Sequence, residues 1–171
     1  MLGNPFKKMF YQKSFEEHSL TLLTPLSGKI IPITQVDDPV FAQCMVGDGV
    51  AILPNSDKVV SPVSGTVTTL FPTLHAVGIT TADELEILIH VGLDTVELKG
   101  RGFTQLVCQG QVVTAGTPLI KLELDILKKT ARSLQTPVII TNRQKVKKLE
   151  KTRAEEIRYG DWIMKVTLEE Q

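Results

Sequence analysis

The chain has 171 residues, 42% of them hydrophobic and 22% charged, with 19 Lys and Arg balanced by 19 Asp and Glu. This length fits one domain with a real core, and the balanced charge removes the electrostatic case for nucleic acid. No apolar run approaches the roughly 20 residues of a membrane-spanning helix, and no secretory signal opens the chain, so the expected location is cytoplasmic.

The N-terminal stretch Met1–Lys13 carries Phe6, Met9 and Phe10 at helical spacing beside Lys7, Lys8 and Lys13. A short helix there would be amphipathic and basic, suited to weak contact with an anionic membrane surface; a frayed terminus is the plain alternative. Residues 1–19 are read as a flexible segment and 20–171 as a single domain. From Leu20 to about Ile140 the pattern is short β-rich runs separated by Gly, Pro, Asp and Asn: Lys29–Ile33, Gly49–Leu53, Val59–Val60, Thr66–Leu70, Glu84–Ile89, Gln111–Val113 and Leu119–Leu124. Turn signals every ~8–12 residues indicate an all-β sandwich or barrel with little helix. The best helical candidate is Asp125–Ala131, with Asp125 as N-cap. Pro25-Leu26-Ser27-Gly28-Lys29-Ile30 resembles Pro62-Val63-Ser64-Gly65-Thr66-Val67, a turn opening a strand in both cases, and suggests internal duplication; two ordinary turns would look the same. Lys58 is an exposed turn lysine, too close to the following Ser-Pro pair for a lipoyl-type hairpin. Cys44 and Cys108 lack C-x-x-C spacing and are read as free thiols. The basic run Arg143–Arg153 has no interleaved aromatic residue and is offset by nearby glutamates, so it is read as a solvated face. Tyr159-Gly160-Asp161 is a turn, and Trp162–Val166 a closing strand.

Two histidines stand out, each at the end of a β-like run: His75 in Phe71-Pro72-Thr73-Leu74-His75, and His90 in Glu86-Ile87-Leu88-Ile89-His90-Val91-Gly92. A single histidine in an apolar strand is more often a satisfied core residue. Two on neighbouring strands would form a neutral, nucleophilic site near pH 7. Thr73, on the same face as His75 if the run is a strand, can accept from one of its ring nitrogens. The Gly92 carbonyl can hold the Nδ1 proton of His90 and leave Nε2 free. Zinc hydrolysis lacks a third ligand near in sequence, and no nucleophile elbow or cysteine–histidine pairing is visible.

The stretches Pro25–Gly28, Val40–Ala42, Val46–Ile52, Ser61–Thr66, Phe71–Ala76, His90–Gly100 and Thr136–Asn142 together closely resemble the glucose-type enzyme IIA of the bacterial phosphoenolpyruvate-dependent sugar phosphotransferase system. The long run at His90 and the ordered set are the specific part; the tail after Asn142 matches poorly and its role is left open. The resemblance implies an antiparallel β-sandwich or barrel with Greek-key topology, a duplicated hybrid motif. It implies that His90 accepts a phosphoryl group from phospho-HPr and passes it to a cysteine of enzyme IIB of a IIB/IIC sugar permease. His75 would stabilise the transferring group, oriented by Thr73, while Gly92 orients His90. Val40, Phe41, Met45, Val46, Phe71, Leu88 and Val96 match an apolar surround of the histidines, with Asp38 and Asp94 as an acidic rim for a basic partner. Leu74, Val77 and Leu88 depart from the family pattern and bear on which IIB is served. No cofactor is required; in some members the two histidines bridge a zinc ion to a regulated partner, and His75 and His90 alone make an incomplete metal site. The alternative function is regulatory: binding permeases or kinases according to phosphorylation state.

Overall fold

The computed structural model describes residues 18–169; the amphipathic stretch Met1–Lys13 lies outside them. The strands are β1 (Ser19–Leu23), β2 (Gly28–Pro32), β3 (Asp48–Pro54), β4 (Lys58–Val60), β5 (Gly65–Leu70), β6 (Ala76–Thr80), β7 (Glu86–His90), β8 (Phe103–Gln105), β9 (Val112–Val113), β10 (Pro118–Leu122), β11 (Thr136–Ile140), β12 (Val146–Lys151), β13 (Glu156–Ile157) and β14 (Trp162–Leu168). Two short helices, α1 (Pro39–Ala42) and α2 (Leu124–Thr130), interrupt them. An eight-stranded sheet runs β13-β2-β3-β11-β7-β6-β5-β9, and two three-stranded sheets run β1-β14-β12 and β4-β10-β8. All pairings are antiparallel. One core, including Leu22, Ile52, Val77, Ile89, Ile120, Val138 and Met164, draws side chains from all three sheets. The fold is the antiparallel β-sandwich that turn spacing indicates.

The internal duplication is present in the hydrogen bonds. Leu23 N–H donates to the Pro62 carbonyl and Val60 N–H donates to the Pro25 carbonyl, both at 2.9 Å. The hydroxyls of Thr24 and Ser61 each close a turn onto the carbonyl two residues ahead, Leu26 and Val63, at 2.5 and 2.6 Å. Both repeat glycines are needed for close strand approach: a Cβ on Gly28 would lie 2.1 Å from the Leu53 carbonyl oxygen, and one on Gly65 would lie 2.4 Å from that of Thr80. The duplication extends into the tail. The N–H groups of Thr24 and Ser61 donate to the carbonyls of Asp161 and Thr117, each at 2.8 Å. The turns before β10 and β14 also match, with Thr117 N–H bonded to the Thr114 carbonyl and Asp161 N–H to that of Arg158. The tail therefore completes the copy of the motif that holds Pro25–Ile30.

Some sequence expectations are corrected and others hold. The helix is Leu124–Thr130, capped at Glu123 without a side-chain bond, so Asp125 lies in its first turn. Leu124 starts the helix because the Glu123 carbonyl accepts from Ile126 and Leu127 N–H at 2.9 and 3.0 Å, while Glu123 N–H is bonded to the Gly102 carbonyl. Part of the basic run forms β12, an edge strand in which lysines help keep an open edge from pairing with other chains. Ser19, assigned to the N-terminal segment, already pairs with Thr167 in β1. Cys44 and Cys108 are free thiols, and Lys58 is exposed at the start of β4. Among the described residues no helix is long and apolar enough to cross a membrane.

Candidate active site

β6 and β7 pair side by side, Ala76 opposite His90. His90 closes β7, and His75 immediately precedes β6, so antiparallel pairing brings the two imidazoles to the same end of neighbouring strands. Their ring centroids are 5.0 Å apart with planes inclined at 78°. Phe41 packs on His90 at 5.1 Å, and Phe71 packs edge-on against His75 at 5.1 Å.

The two rings are held at Nδ1 by different devices. His90 Nδ1 lies 2.8 Å from the Gly92 carbonyl oxygen. A carbonyl only accepts, so Nδ1 carries the proton and, in the neutral ring, Nε2 carries the lone pair. Gly92 has φ +73°, and a Cβ there would meet Thr95 Cγ2 at 2.6 Å and the Ser133 carbonyl at 2.8 Å. The buried Thr95 hydroxyl in turn donates to the Val91 carbonyl at 2.5 Å. His75 Nδ1 lies 2.6 Å from Thr73 Oγ1. That contact is made through a turn: the segment Phe71–His75 is not a strand, Leu74 is left-handed at φ +57°, and Leu74 N–H donates to the Phe71 carbonyl at 2.8 Å. The strand-face argument for Thr73 is thus replaced by a turn that folds its hydroxyl back onto the ring.

His75 is only 6% exposed. Among the described residues no buried side-chain nitrogen or oxygen lacks a hydrogen-bond partner. Among the described residues the hydrogen-bond partner of His75 is Thr73, at Nδ1, which leaves Nε2 to solvent. Burial pushes the His75 pKa below the ordinary histidine value, and the neighbouring His90 charge pushes it further. Burial likewise lowers His90, against the opposing pull of the Gly92 carbonyl, Asp38 and Asp94. Lowered from the ordinary histidine value, both pKa values favour the neutral rings at pH 7. Two imidazoles supply two metal ligands; among the described residues no group of three or more His, Cys, Asp or Glu side chains converges.

The surrounding residues divide into wall and surface. Val40, Met45, Val46, Phe71 and Val96 are exposed, Met45 most of all. Phe41 is buried in a small cluster with Ile33, Val36, Ala51, Leu93 and Ile139, and the half-buried Leu88 packs against it; Phe41 is therefore a wall of the site and not a contact surface. Val77 is fully buried, so its departure from the family pattern belongs to the core. Asp38 accepts from Val40 N–H at 2.9 Å and caps α1. Asp94 is ion-paired with Arg132 at 2.6 Å. Both acidic residues thus have internal partners. Nothing in the residue pattern singled out Arg132; only the fold brings it to Asp94.

A family model described as phosphoenolpyruvate-dependent sugar phosphotransferase system, EIIA 1, matches residues 20–146. The chain belongs to this family. It is similar to the PTS system glucose-specific EIIA component of Oceanobacillus iheyensis, 41% identical over 156 residues that cover 91% of this chain and 94% of the relative. The glucose-specific EIIA component of Staphylococcus aureus is 44% identical over 137 residues, 80% of this chain and 82% of that protein. Among solved structures, the glucose permease IIA of Mycoplasma capricolum superposes with a TM-score of 0.82 at 43% identity, covering 86% of this chain and 96% of that one. As an EIIA component the chain is a phosphocarrier of the sugar phosphotransferase system, working with HPr and EIIB/permease components.

Proposed function

We propose that His90 Nε2 is the phosphoryl acceptor and that His75 stabilises the group in transit. The carrying observation is the imidazole pair itself: two rings 5.0 Å apart, each fixed at Nδ1. In the first step the N–P bond of phospho-HPr breaks as the bond to His90 Nε2 forms; in the second that bond breaks as a P–S bond forms to a thiolate of enzyme IIB. The proton stays on His90 Nδ1, donated to the Gly92 carbonyl, through both steps and offsets charge in the phosphorylated ring. Phosphoryl transfer depends mainly on positioning and on charge stabilisation. His75 supplies an Nε2–H to the phosphoryl oxygens: Thr73, which can donate or accept, supports that proton placement in the neutral ring and in the imidazolium favoured once the anionic group arrives. The exposed set Val40, Met45, Val46, Phe71 and Val96 forms the docking face, with Asp38 and Asp94 at its rim. The names of the relatives point to glucose as the sugar served, and the cytoplasm is the compartment in which HPr is met.

The same face supports a second, regulatory reading. A phosphoryl group adds about −1.5 to −2 charges beside exposed apolar residues, enough to release a permease or kinase docked there.

The test is phosphorylation by phosphoenolpyruvate, enzyme I and HPr, read by intact mass. Wild type and His75→Ala should gain one phosphoryl group and His90→Ala none, with His75→Ala failing in onward transfer to IIB. Label on His90→Ala would overturn the assignment.

A further inference from the structure

Arg132 follows α2 and sits where two loops meet. Its Nη1 donates to Asp94 Oδ2 at 2.6 Å, and its Nη2 donates to the Asp37 carbonyl. Gln135 reinforces the junction: its Oε1 accepts from Asp37 N–H at 2.8 Å, and its Nε2 donates to Asp37 Oδ2 at 3.0 Å. Each loop carries one wall of the site. Asp37 precedes Asp38, which caps the helix holding Phe41 against His90. Asp94 follows Gly92, whose carbonyl holds His90. One guanidinium therefore spans both loops that frame the reactive ring.

The same contact occupies a carboxylate on the docking rim. The side chains of Arg132 and Asp94 remain 51% and 52% exposed, so a cation arriving from outside can reach Asp94 and compete for it. An exposed ion pair is weak enough to be exchanged, and rim charges act mainly on encounter and on its salt dependence.

We propose that Arg132 is a built-in competitor on the docking face: it holds the Asp94 carboxylate in the free protein and yields it to a cationic side chain of the incoming phosphoryl-transfer partner. This rests on the reading that the face around His90 receives such a partner. Arg132 is then a specificity-determining residue that never touches the phosphoryl group. Its removal uncovers one carboxylate and takes one positive charge from the rim. Lysine cannot replace it fully, because a single ammonium cannot reproduce the planar fork that serves Asp94 and Asp37 together.

The experiment is steady-state phosphorylation of the full chain by phospho-HPr at low and moderate ionic strength, comparing wild type, Arg132→Gln, Arg132→Lys, Asp94→Asn and the Arg132→Gln/Asp94→Asn double variant. Arg132→Gln should lower KM about two- to five-fold at low salt, the range of one exposed ion pair, with a steeper salt dependence and kcat changed by less than about two-fold. Arg132→Lys should lie between it and wild type. Asp94→Asn should raise KM, and in that background the effect of Arg132→Gln should shrink to the salt-screened contribution of one rim charge. An unchanged or raised KM in Arg132→Gln, while Asp94→Asn raises KM, overturns the role of Arg132 alone. An unchanged KM in Asp94→Asn overturns the docking reading and this inference with it.

Discussion

Replacing Thr73 with Val tests the orientation of His75 with little change in side-chain volume. The hydroxyl it removes lies 2.6 Å from His75 Nδ1, and the ring is 6% exposed. A neutral hydrogen bond contributes about 0.5–1.5 kcal/mol net, and leaving a buried nitrogen unpaired costs about 1–3 kcal/mol. Thr73 is itself half-buried, so water can reach part of the vacated position and the lower end applies, about 1 kcal/mol. For a chain of this length that corresponds to a fall of about 2–4 °C in Tm. The functional loss should be larger than the stability loss. Without the hydroxyl, neither tautomer of His75 is favoured and the Nε2–H is no longer aimed at the phosphoryl group. Removing one stabilising donor outright costs about a hundred- to a thousand-fold in rate, and misaiming it forfeits a large part of that. Stopped-flow transfer to IIB and thermal melting should be measured on the same preparations, with Thr73→Ser as the variant that restores the hydroxyl. Transfer by Thr73→Val within two-fold of wild type would refute the reasoning, because His75 would then not depend on Thr73 for its orientation.

Gly92→Ala should be the more damaging change. Its positive φ costs a non-glycine residue about 1–2 kcal/mol, and the new Cβ overlaps Thr95 and the Ser133 carbonyl. Melting should show a loss beyond that of Thr73→Val, and acceptance from phospho-HPr should fall because the carbonyl that fixes His90 Nδ1 is displaced; wild-type acceptance rates would contradict this. Stability should also depend on pH through the two imidazoles. Burial lowers both folded pKa values, so below an unfolded value of about 6.5 the unfolded chain binds protons that the folded chain does not. Stability then rises with pH through this window: the contribution is complete above about pH 6.5 and is lost as pH falls toward the folded pKa values. Urea titrations between pH 5 and 7.5 should show that slope, and His75→Ala and His90→Ala should each flatten it. Equal slopes in all three proteins would place the proton uptake elsewhere.

The legible parts of the molecule were those with local chemistry. His75 and His90 could be read because a polar ring stands among apolar neighbours, and Gly92 because a glycine two residues past a histidine offers its carbonyl. The repeat at Gly28 and Gly65 was visible because the same close strand approach demands the same residue. The second half of the duplication was hidden. Its turns use Thr114-Ala115-Gly116-Thr117 in one copy and Arg158-Tyr159-Gly160-Asp161 in the other, alike in backbone geometry but sharing only glycine. In those turns a threonine hydroxyl and an aspartate carboxylate do the same work, accepting from Thr114 N–H at 3.2 Å and from Arg158 N–H at 2.7 Å. β12 was hidden because Lys147, Lys148, Glu150 and Lys151 mask a half-buried Val146 and Leu149. Its anchor is long-range, Lys151 Nζ to Asp48 Oδ1 at 2.5 Å. Burial of Asp48 alone would raise its pKa, but the hydrogen bond and charge of Lys151 outweigh this and lower it. The Arg132 junction is of the same kind: its partners lie far away along the chain, and no local pattern marks it.

The duplicated frame also shows why the site is asymmetric. Ile139 and Leu88 pair with each other at the centre of the large sheet, and each pairs outward with a glycine, Gly49 and Gly78. These four residues mark the centre of the pseudo-twofold. Three positions before each glycine lie Val46 in one half and His75 in the other; two positions after Ile139 and Leu88 lie Thr141 and His90. The half containing Val46 and Thr141 repeats the strand pairing without the imidazoles. Sheet register alone therefore does not make the site. It needs the additional turn that brings Thr73 back onto His75, and the left turn at Gly92 whose carbonyl fixes His90. Changes confined to those two turns should slow transfer while the sheets stay paired, whereas equivalent changes on the Val46–Thr141 side should alter only packing and docking. In the proposed mechanism the carrier chemistry depends on these two short turns together with the imidazoles they orient, mounted on a duplicated scaffold.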